Sequence, residues 1–117
     1  IGTAYPEQVA RMLEAVVQRV PAGLLAGHFH DTAGRALANI DASLDYGLRI
    51  FDASIAGLGG CPYAPGAKGN VDTQLVYDHL VARGYEIAGS PDRAGLERAS
   101  RLARKILGRI EGAEDAI

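Results

Sequence analysis

The sequence predicts an α/β fold in which three parallel strands are flanked by helices. Apolar residues recur at helical spacing in several segments, and short apolar runs of strand length lie between those segments. Glycine and proline mark the boundaries between them. Strands that alternate with helical segments need crossover connections, and such connections are typical of a parallel sheet.

Four helices follow from the apolar spacing and from residues that favour helix ends. The segments over 6–20, 32–46 and 72–83 are predicted helices, and Ser90-Pro91 begins a fourth. Gly47 and Gly84 are typical of the carboxyl ends of the second and third helices. The fourth helix has one apolar side, which consists of Leu96, Ala99, Leu102, Ala103, Ile106 and Ile110.

Three strands are predicted, over 24–30 and 48–55 and, very short, over 70–71. Three parallel strands alone leave an open sheet with two exposed edges. At about 30 residues for each strand and helix, the 117 residues amount to less than half of a (β/α)8 barrel of about 250 residues. We therefore expect this chain to be one portion of such a barrel.

The composition excludes several classes of function. Hydrophobic residues make up 48% of the chain, and no stretch approaches the roughly 20 apolar residues that a membrane span needs. The net charge of −2 gives no electrostatic reason to expect nucleic acid as a partner. One cysteine excludes an internal disulfide. We therefore expect a globular protein with neither membrane nor nucleic acid as its partner.

Two histidines, His28 and His30, lie two positions apart at the carboxyl end of the first predicted strand. Because side chains alternate along a strand, both imidazoles are expected on the same face. Barrel enzymes carry their chemistry at the carboxyl ends of the strands, and imidazole is a common metal ligand. The pair thus indicates a metal site, and hydrogen bonding within the fold is the alternative. Asp31 either orients one ring or caps the next helix.

A glycine-rich loop over 56–69 carries Cys61 and Lys68 and is followed by Asn70. A thiol on a closing loop can act as a general acid, whereas most lone cysteines are small buried hydrophobes. The amide oxygen of Asn70 suits a hard cation such as Mg²⁺, although asparagine here also suits a turn. Lys68 is the loop residue that we expect to contact an anionic substrate.

Other polar residues are predicted to be structural. His79 falls at the apolar spacing of the third helix and is expected to pack rather than to catalyse. The arginines of the last helix are expected to form a solvated face rather than a phosphate site, and they are Arg93, Arg98, Arg101, Arg104 and Arg109.

The motifs resemble a known family. HFHDTAGRALAN over 28–39, DASIAGLGGCPYAPGAKGN over 52–70 and the opening Ile1-Gly2 are similar to the hydroxymethylglutaryl-CoA lyases. The HxHD motif is shared across a wider group of metal-dependent TIM-barrel lyases and synthases, whereas GGCPYAPGAxGN is specific to the lyase branch. The similarity runs over nearly the whole chain and weakens after about Gly84.

The resemblance implies a fold, a reaction and roles for residues. It implies that residues 1–117 are the C-terminal portion of a (β/α)8 barrel, from the fifth helix on. The implied reaction is cleavage of 3-hydroxy-3-methylglutaryl-CoA to acetyl-CoA and acetoacetate with Mg²⁺ or Mn²⁺. The implied roles are metal binding by His28, His30 and Asn70 and catalysis by Cys61. We also expect His28 to take part in catalysis and Lys68 and Gly60 to contact the substrate.

The resemblance also implies residues that this chain lacks. The family's remaining metal ligand, an aspartate, and its catalytic arginine belong near the end of a first strand, and another aspartate belongs immediately before Ile1. We therefore expect the 117 residues alone to be inactive. Two alternatives stay open, namely a non-catalytic assembly piece and a related metal-dependent lyase or aldolase with another acyl-CoA or 2-oxo acid substrate. We expect a homo-oligomer in the cytoplasm, and the mitochondrial matrix stays open.

Overall fold

The computed structural model describes residues 1–59, 69–89 and 91–115, with side chains as far as residue 108. Single turns of 3-10 helix at Ala22–Leu24 and Ile55–Gly57 precede the first strand and follow the second. The predicted alternation of helices and strands is confirmed. The main elements in chain order are α1 (Pro6–Val16), β1 (Ala26–His28), α2 (Ala36–Asp45), β2 (Ile50–Asp52), α3 (Thr73–Ala82) and α4 (Arg93–Asp115).

The sheet of the described residues has two parallel strands, β1 and β2, and not the three that we predicted. Ala26 lies opposite Ile50 and His28 lies opposite Asp52, so both strands end at the same edge. The connection between them passes through α2, as a parallel pair requires.

The predicted third strand over 70–71 is wrong. Residues 69–72, here called the crossing segment, make only isolated bridges, His30 with Asn70 and Ser54 with Asp72. The Val71 amide donates to the Phe29 carbonyl at 3.1 Å, and the Ser54 amide donates to the Val71 carbonyl at 3.0 Å. The segment therefore crosses beyond the ends of both strands instead of running beside one of them, and no ladder of consecutive pairs can form.

The second helix begins four residues later than predicted, because Asp31 closes a turn before it. The Asp31 carbonyl accepts a hydrogen bond from the Gly34 amide at 3.0 Å. The Asp31 carboxylate accepts one from the Ala36 amide at 3.2 Å. Gly34 has a φ of +73°, in the left-handed region that favours glycine. Asp31 therefore serves the helix start, which was one of its two predicted roles.

Two apolar clusters form the core. The larger joins α2 to α3 and the crossing segment, and its buried members are Ala36, Ile40, Leu44, Val71, Val76 and Leu80. The smaller contains Val9, Leu13 and Leu48 and holds α1. Phe29, which follows β1, and Phe51 of β2 contact both clusters, so the core lies against the two strands.

Polar contacts join neighbouring helices. His79 Nε2 lies 2.7 Å from an Asp41 oxygen, and the Arg83 Nε lies 3.2 Å from the same oxygen. His79 therefore links α3 to α2, which agrees with the structural role predicted for it. Arg93 contacts both oxygens of Asp78 at 2.9 Å and thereby lowers the pKa of that carboxyl, so at least this arginine of α4 is paired rather than simply solvated.

No described helix is long and apolar enough to cross a membrane.

Candidate metal centre at the strand ends

His28 and Asp52 are paired at the carboxyl ends of the two strands. They are the last residues of β1 and β2 and lie directly opposite each other. The His28 Nδ1 contacts an Asp52 carboxylate oxygen, which leaves Nε2 as the ring nitrogen outside this contact. A carboxylate on one imidazole nitrogen orients the ring and raises the basicity of the other nitrogen as a metal ligand. This arrangement therefore suits metal binding through Nε2.

His30 lies beside His28, as the alternation of strand side chains predicts. The two ring centroids are 5.4 Å apart, and the ring planes make an angle of 62°. His30 follows the end of β1 and forms an antiparallel bridge with Asn70. The three residues predicted to bind metal are therefore neighbours in the structure.

Two polar atoms of this cluster are buried without a hydrogen-bond partner among the described residues, His30 Nδ1 and Asn70 Oδ1. A buried polar atom without a partner costs about 1–3 kcal/mol. Both are atoms that coordinate divalent cations in proteins, and one is nitrogen and the other oxygen. The donor set therefore fits a divalent metal.

The amide of Asn70 is oriented by the start of the glycine-rich loop. Its Nδ2 donates to the Leu58 carbonyl at 2.9 Å, and its backbone amide donates to the Gly59 carbonyl at 3.2 Å. Because Nδ2 donates this hydrogen bond, Oδ1 is the side-chain atom that could coordinate a metal. The start of the loop and the candidate metal ligands are thus joined through Asn70.

Three glycines allow the two ends of the loop to meet, and together with Asn70 they form what we call the loop base. A Cβ at Gly69 would lie 2.5 Å from the Gly59 carbonyl oxygen and 2.6 Å from that of Gly57. A Cβ at Gly59, which has a φ of +94°, would lie 2.7 Å from Asn70 Nδ2. These glycines therefore permit a close backbone approach that a larger residue would prevent.

Several predicted site residues lie outside the described residues. They are Gly60, Cys61 and Lys68, and their roles remain predictions.

The sequence did not reveal Asp52, and Asp31 was the residue considered for orienting a histidine. The available signal was that Asp52 is the one carboxylate within the second predicted strand, residues 48–55. Among the described residues, no group of three or more His, Cys, Asp and Glu side chains could hold a metal. The candidate set differs from such a group because its third member is an asparagine.

The fold and site define an α/β protein with candidate metal ligands at the carboxyl ends of parallel strands. The family model described as HMGL-like matches residues 1–102. The chain therefore belongs to the HMGL-like family.

Individual relatives agree with this assignment. A mitochondrial hydroxymethylglutaryl-CoA lyase from Arabidopsis thaliana is 50% identical over 117 residues, which is all of this chain and 25% of the relative. A 3-hydroxy-3-isohexenylglutaryl-CoA/hydroxymethylglutaryl-CoA lyase from Pseudomonas aeruginosa is 47% identical over 99% of this chain and 38% of its own length. A cytoplasmic 3-hydroxy-3-methylglutaryl-CoA lyase from Homo sapiens also matches, so the relatives do not indicate one cellular compartment for this chain.

Solved structures share the fold. The HMG-CoA lyase of Brucella melitensis superposes with a TM-score of 0.86 at 53% identity, over 91% of this chain and 37% of that one. An HMG-CoA lyase from Acinetobacter baumannii in complex with coenzyme A and 3-methylmalate gives a TM-score of 0.81 at 38% identity, over 92% and 34%. The chain thus spans between a quarter and about two fifths of the relatives and structures that it matches.

The close approach at the loop base predicts that Gly69→Ala lowers the free energy of unfolding by about 1–3 kcal/mol, because the new methyl group would overlap two carbonyl oxygens. Gly23→Ala is the matched control, since its Cβ would meet no atom of the described residues within 4 Å. We expect the control to change stability by about 0.5 kcal/mol or less. Denaturant unfolding measures both variants, and equal effects would contradict the close approach.

The carboxylate on His28 predicts that Asp52→Asn in the full-length enzyme weakens Mn²⁺ binding about 10- to 100-fold, because the ring loses the charged partner that orients it. Asp45→Asn is the control, since Asp45 is an exposed aspartate at the end of α2. Titration calorimetry measures the dissociation constants. If Asp52→Asn binds Mn²⁺ as tightly as the control does, Asp52 has no role in orienting the ligand.

Proposed function

We propose that the protein cleaves 3-hydroxy-3-methylglutaryl-CoA to acetyl-CoA and acetoacetate, with Mg²⁺ or Mn²⁺ held by His28, His30 and Asn70. The observation that carries this proposal is a pair of buried atoms, His30 Nδ1 and Asn70 Oδ1, that have no hydrogen-bond partner among the described residues and lie next to a carboxylate-oriented His28. Membership of the HMGL-like family and relatives named as lyases of this substrate support the same reaction.

The reaction breaks the bond between C2 and C3 of the substrate. The tertiary hydroxyl on C3 must lose its proton, and the departing acetyl-CoA enolate must be stabilised and then protonated at carbon. A bound divalent cation supplies Lewis acidity, which lowers the pKa of an oxygen that it contacts. The side chains of the protein therefore have to orient the substrate, exclude water and carry out two proton transfers, one from the hydroxyl and one to the enolate carbon.

The described residues suit the orienting part of this task. The Asp52 carboxylate holds the His28 ring, and the Leu58 carbonyl holds the amide of Asn70. Ligands fixed in this way need little rearrangement when substrate binds, which is how preorganised sites lower a barrier. His28 is thus proposed to contribute to catalysis through the metal that it binds.

The loop residues are proposed to move the protons and to bind substrate. We assign the protonation of the enolate carbon to the Cys61 thiol. The proton of the substrate hydroxyl first passes to a base of the completed site, and the resulting Cys61 thiolate regains its proton from that base. Lys68 is proposed to contact an anionic group of the acyl-CoA, and Gly60 is proposed to let the loop approach the substrate closely. The loop base supports this assignment, because it brings both ends of the loop next to Asn70, one of the proposed metal ligands.

We propose that the rest of a (β/α)8 barrel completes the site. The three proposed ligands are neutral, and one further carboxylate would give the donor set and charge that Mg²⁺ prefers. The chain spans only part of its relatives, so the remaining aspartate ligand and the catalytic arginine are assigned to the part that they have in addition. We expect the isolated 117 residues to show no turnover, and we propose that the enzyme is a homo-oligomer.

The role of Cys61 predicts that Cys61→Ala in the full-length enzyme lowers kcat about 10²- to 10⁴-fold, because the enolate loses its proton donor. Mn²⁺ affinity should stay unchanged, since the thiol is not a proposed ligand. A coupled assay for acetyl-CoA formation and a Mn²⁺ titration on the same sample measure the two quantities. Robust turnover in Cys61→Ala would remove this residue from the mechanism.

A histidine pair tests the proposed metal site. His30→Ala should abolish measurable Mn²⁺ binding and turnover in the full-length enzyme. His79→Ala is the matched control, because His79 contacts Asp41 between two helices. The control should lower stability and leave the Mn²⁺ dissociation constant unchanged. Turnover that survives His30→Ala would contradict the proposed site.

A further inference from the structure

Residues 1–5, here called the strap, run without regular secondary structure in front of α1, yet side chains of the second helical segment hold them. The Arg35 Nη1 donates to the Thr3 carbonyl at 3.1 Å. The Asn39 Nδ2 donates to the Ala4 carbonyl at 3.1 Å, and Asn39 is only 2% exposed. These bonds fix consecutive peptide groups of the strap.

An aromatic contact adds a third attachment at the end of the strap. The Arg35 guanidinium carbon lies 3.9 Å from the centroid of the Tyr5 ring, within the range of a cation–π interaction. The Tyr5 amide donates to the Gln8 side chain at 2.8 Å, so the strap continues directly into the first turn of α1. Arg35 therefore contacts the strap at both a carbonyl and a ring.

The other end of the strap touches His30. Gly2 has a φ of +80°, and a Cβ there would lie 2.8 Å from the His30 carbonyl oxygen and 3.0 Å from the His30 Cβ. Only glycine fits, for both the backbone conformation and the space. Gly2 thus contacts the backbone from which one of the proposed ligand side chains extends.

Together these contacts form a closed path of chain and side chains that begins and ends at His30. From His30 the chain turns through Asp31 and Gly34 into α2, and Arg35 and Asn39 then bind the strap, which returns to His30 at Gly2. His30 is also bridged to Asn70. Its backbone is therefore fixed by two separate segments, the strap and the crossing segment.

We propose that the strap sets the position of His30 for metal binding, with Gly2, Arg35 and Asn39 as its positioning residues. This inference rests on the proposed function. None of the three side chains is a proposed metal ligand, so each acts through His30. Loss of such a supporting contact typically weakens metal affinity 10- to 100-fold.

The test compares two glycine variants of the full-length enzyme by Mn²⁺ titration and by the electron paramagnetic resonance spectrum of the bound ion. Gly2→Ala should raise the Mn²⁺ dissociation constant about 10- to 100-fold and change the spectrum. Gly84→Ala is the matched control, because Gly84 also has a positive φ, of +89°, and its Cβ would meet nothing within 4 Å in the part of the chain that the structure describes. Equal Mn²⁺ affinity in the two variants would overturn the inference.

A second pair of variants decides the matter if Gly2→Ala does not fold. Arg35→Met should weaken Mn²⁺ binding, and Arg35→Lys should restore part of it, since lysine keeps a donor for the Thr3 carbonyl. Arg101→Met, at an exposed arginine of α4, is the control. Wild-type Mn²⁺ affinity in Arg35→Met would overturn the proposed role of the strap while leaving the proposed function intact. If His30→Ala leaves Mn²⁺ binding unchanged, the proposed function and this inference both fail.

Discussion

The structure depends on one backbone crossing, in which residues 69–72 join the ends of both strands. The Val71 amide bonds to Phe29 and its carbonyl to Ser54, while its side chain is fully buried in the larger core cluster. Asp72 then accepts a hydrogen bond from the Gln74 amide at 3.2 Å and begins α3. Strand ends, core and third helix are therefore fixed by four consecutive residues, and Asn70 is one of them.

This placement fixes the residues of the proposed metal site at the strand ends. Asn70 cannot move without disturbing the crossing segment, and its amide is held by the loop base. His28 is held by Asp52, and His30 by its bridge to Asn70 and by the strap. His30 Nδ1 and Asn70 Oδ1, which have no hydrogen-bond partner among the described residues, therefore belong to backbone held by several contacts, and the proposed cation would offset their cost of about 1–3 kcal/mol each.

Much of this arrangement could be predicted from sequence, because it follows from local patterns. The alternation of helices and strands, the same face for His28 and His30, and the helix start at Asp72 all depend on neighbours in the chain. The third strand was wrong because short apolar segments do not reveal whether they pair along a strand or cross its end. Asp52 was missed for a similar reason, since its partnership with His28 depends on strand register. The strap joins residues more than 30 positions apart, and no local pattern indicates it.

Anomalous diffraction from crystals of the full-length enzyme grown with Mn²⁺ would test the central claim most directly. We predict one anomalous peak within bonding distance of His28 Nε2 and Asn70 Oδ1, with Asp52 still on the other nitrogen of His28. A peak that touches neither residue would contradict the account. So would an ion bound by Asp52 in place of His28, because Asp52 would then be a ligand itself and not the residue that orients the His28 ring.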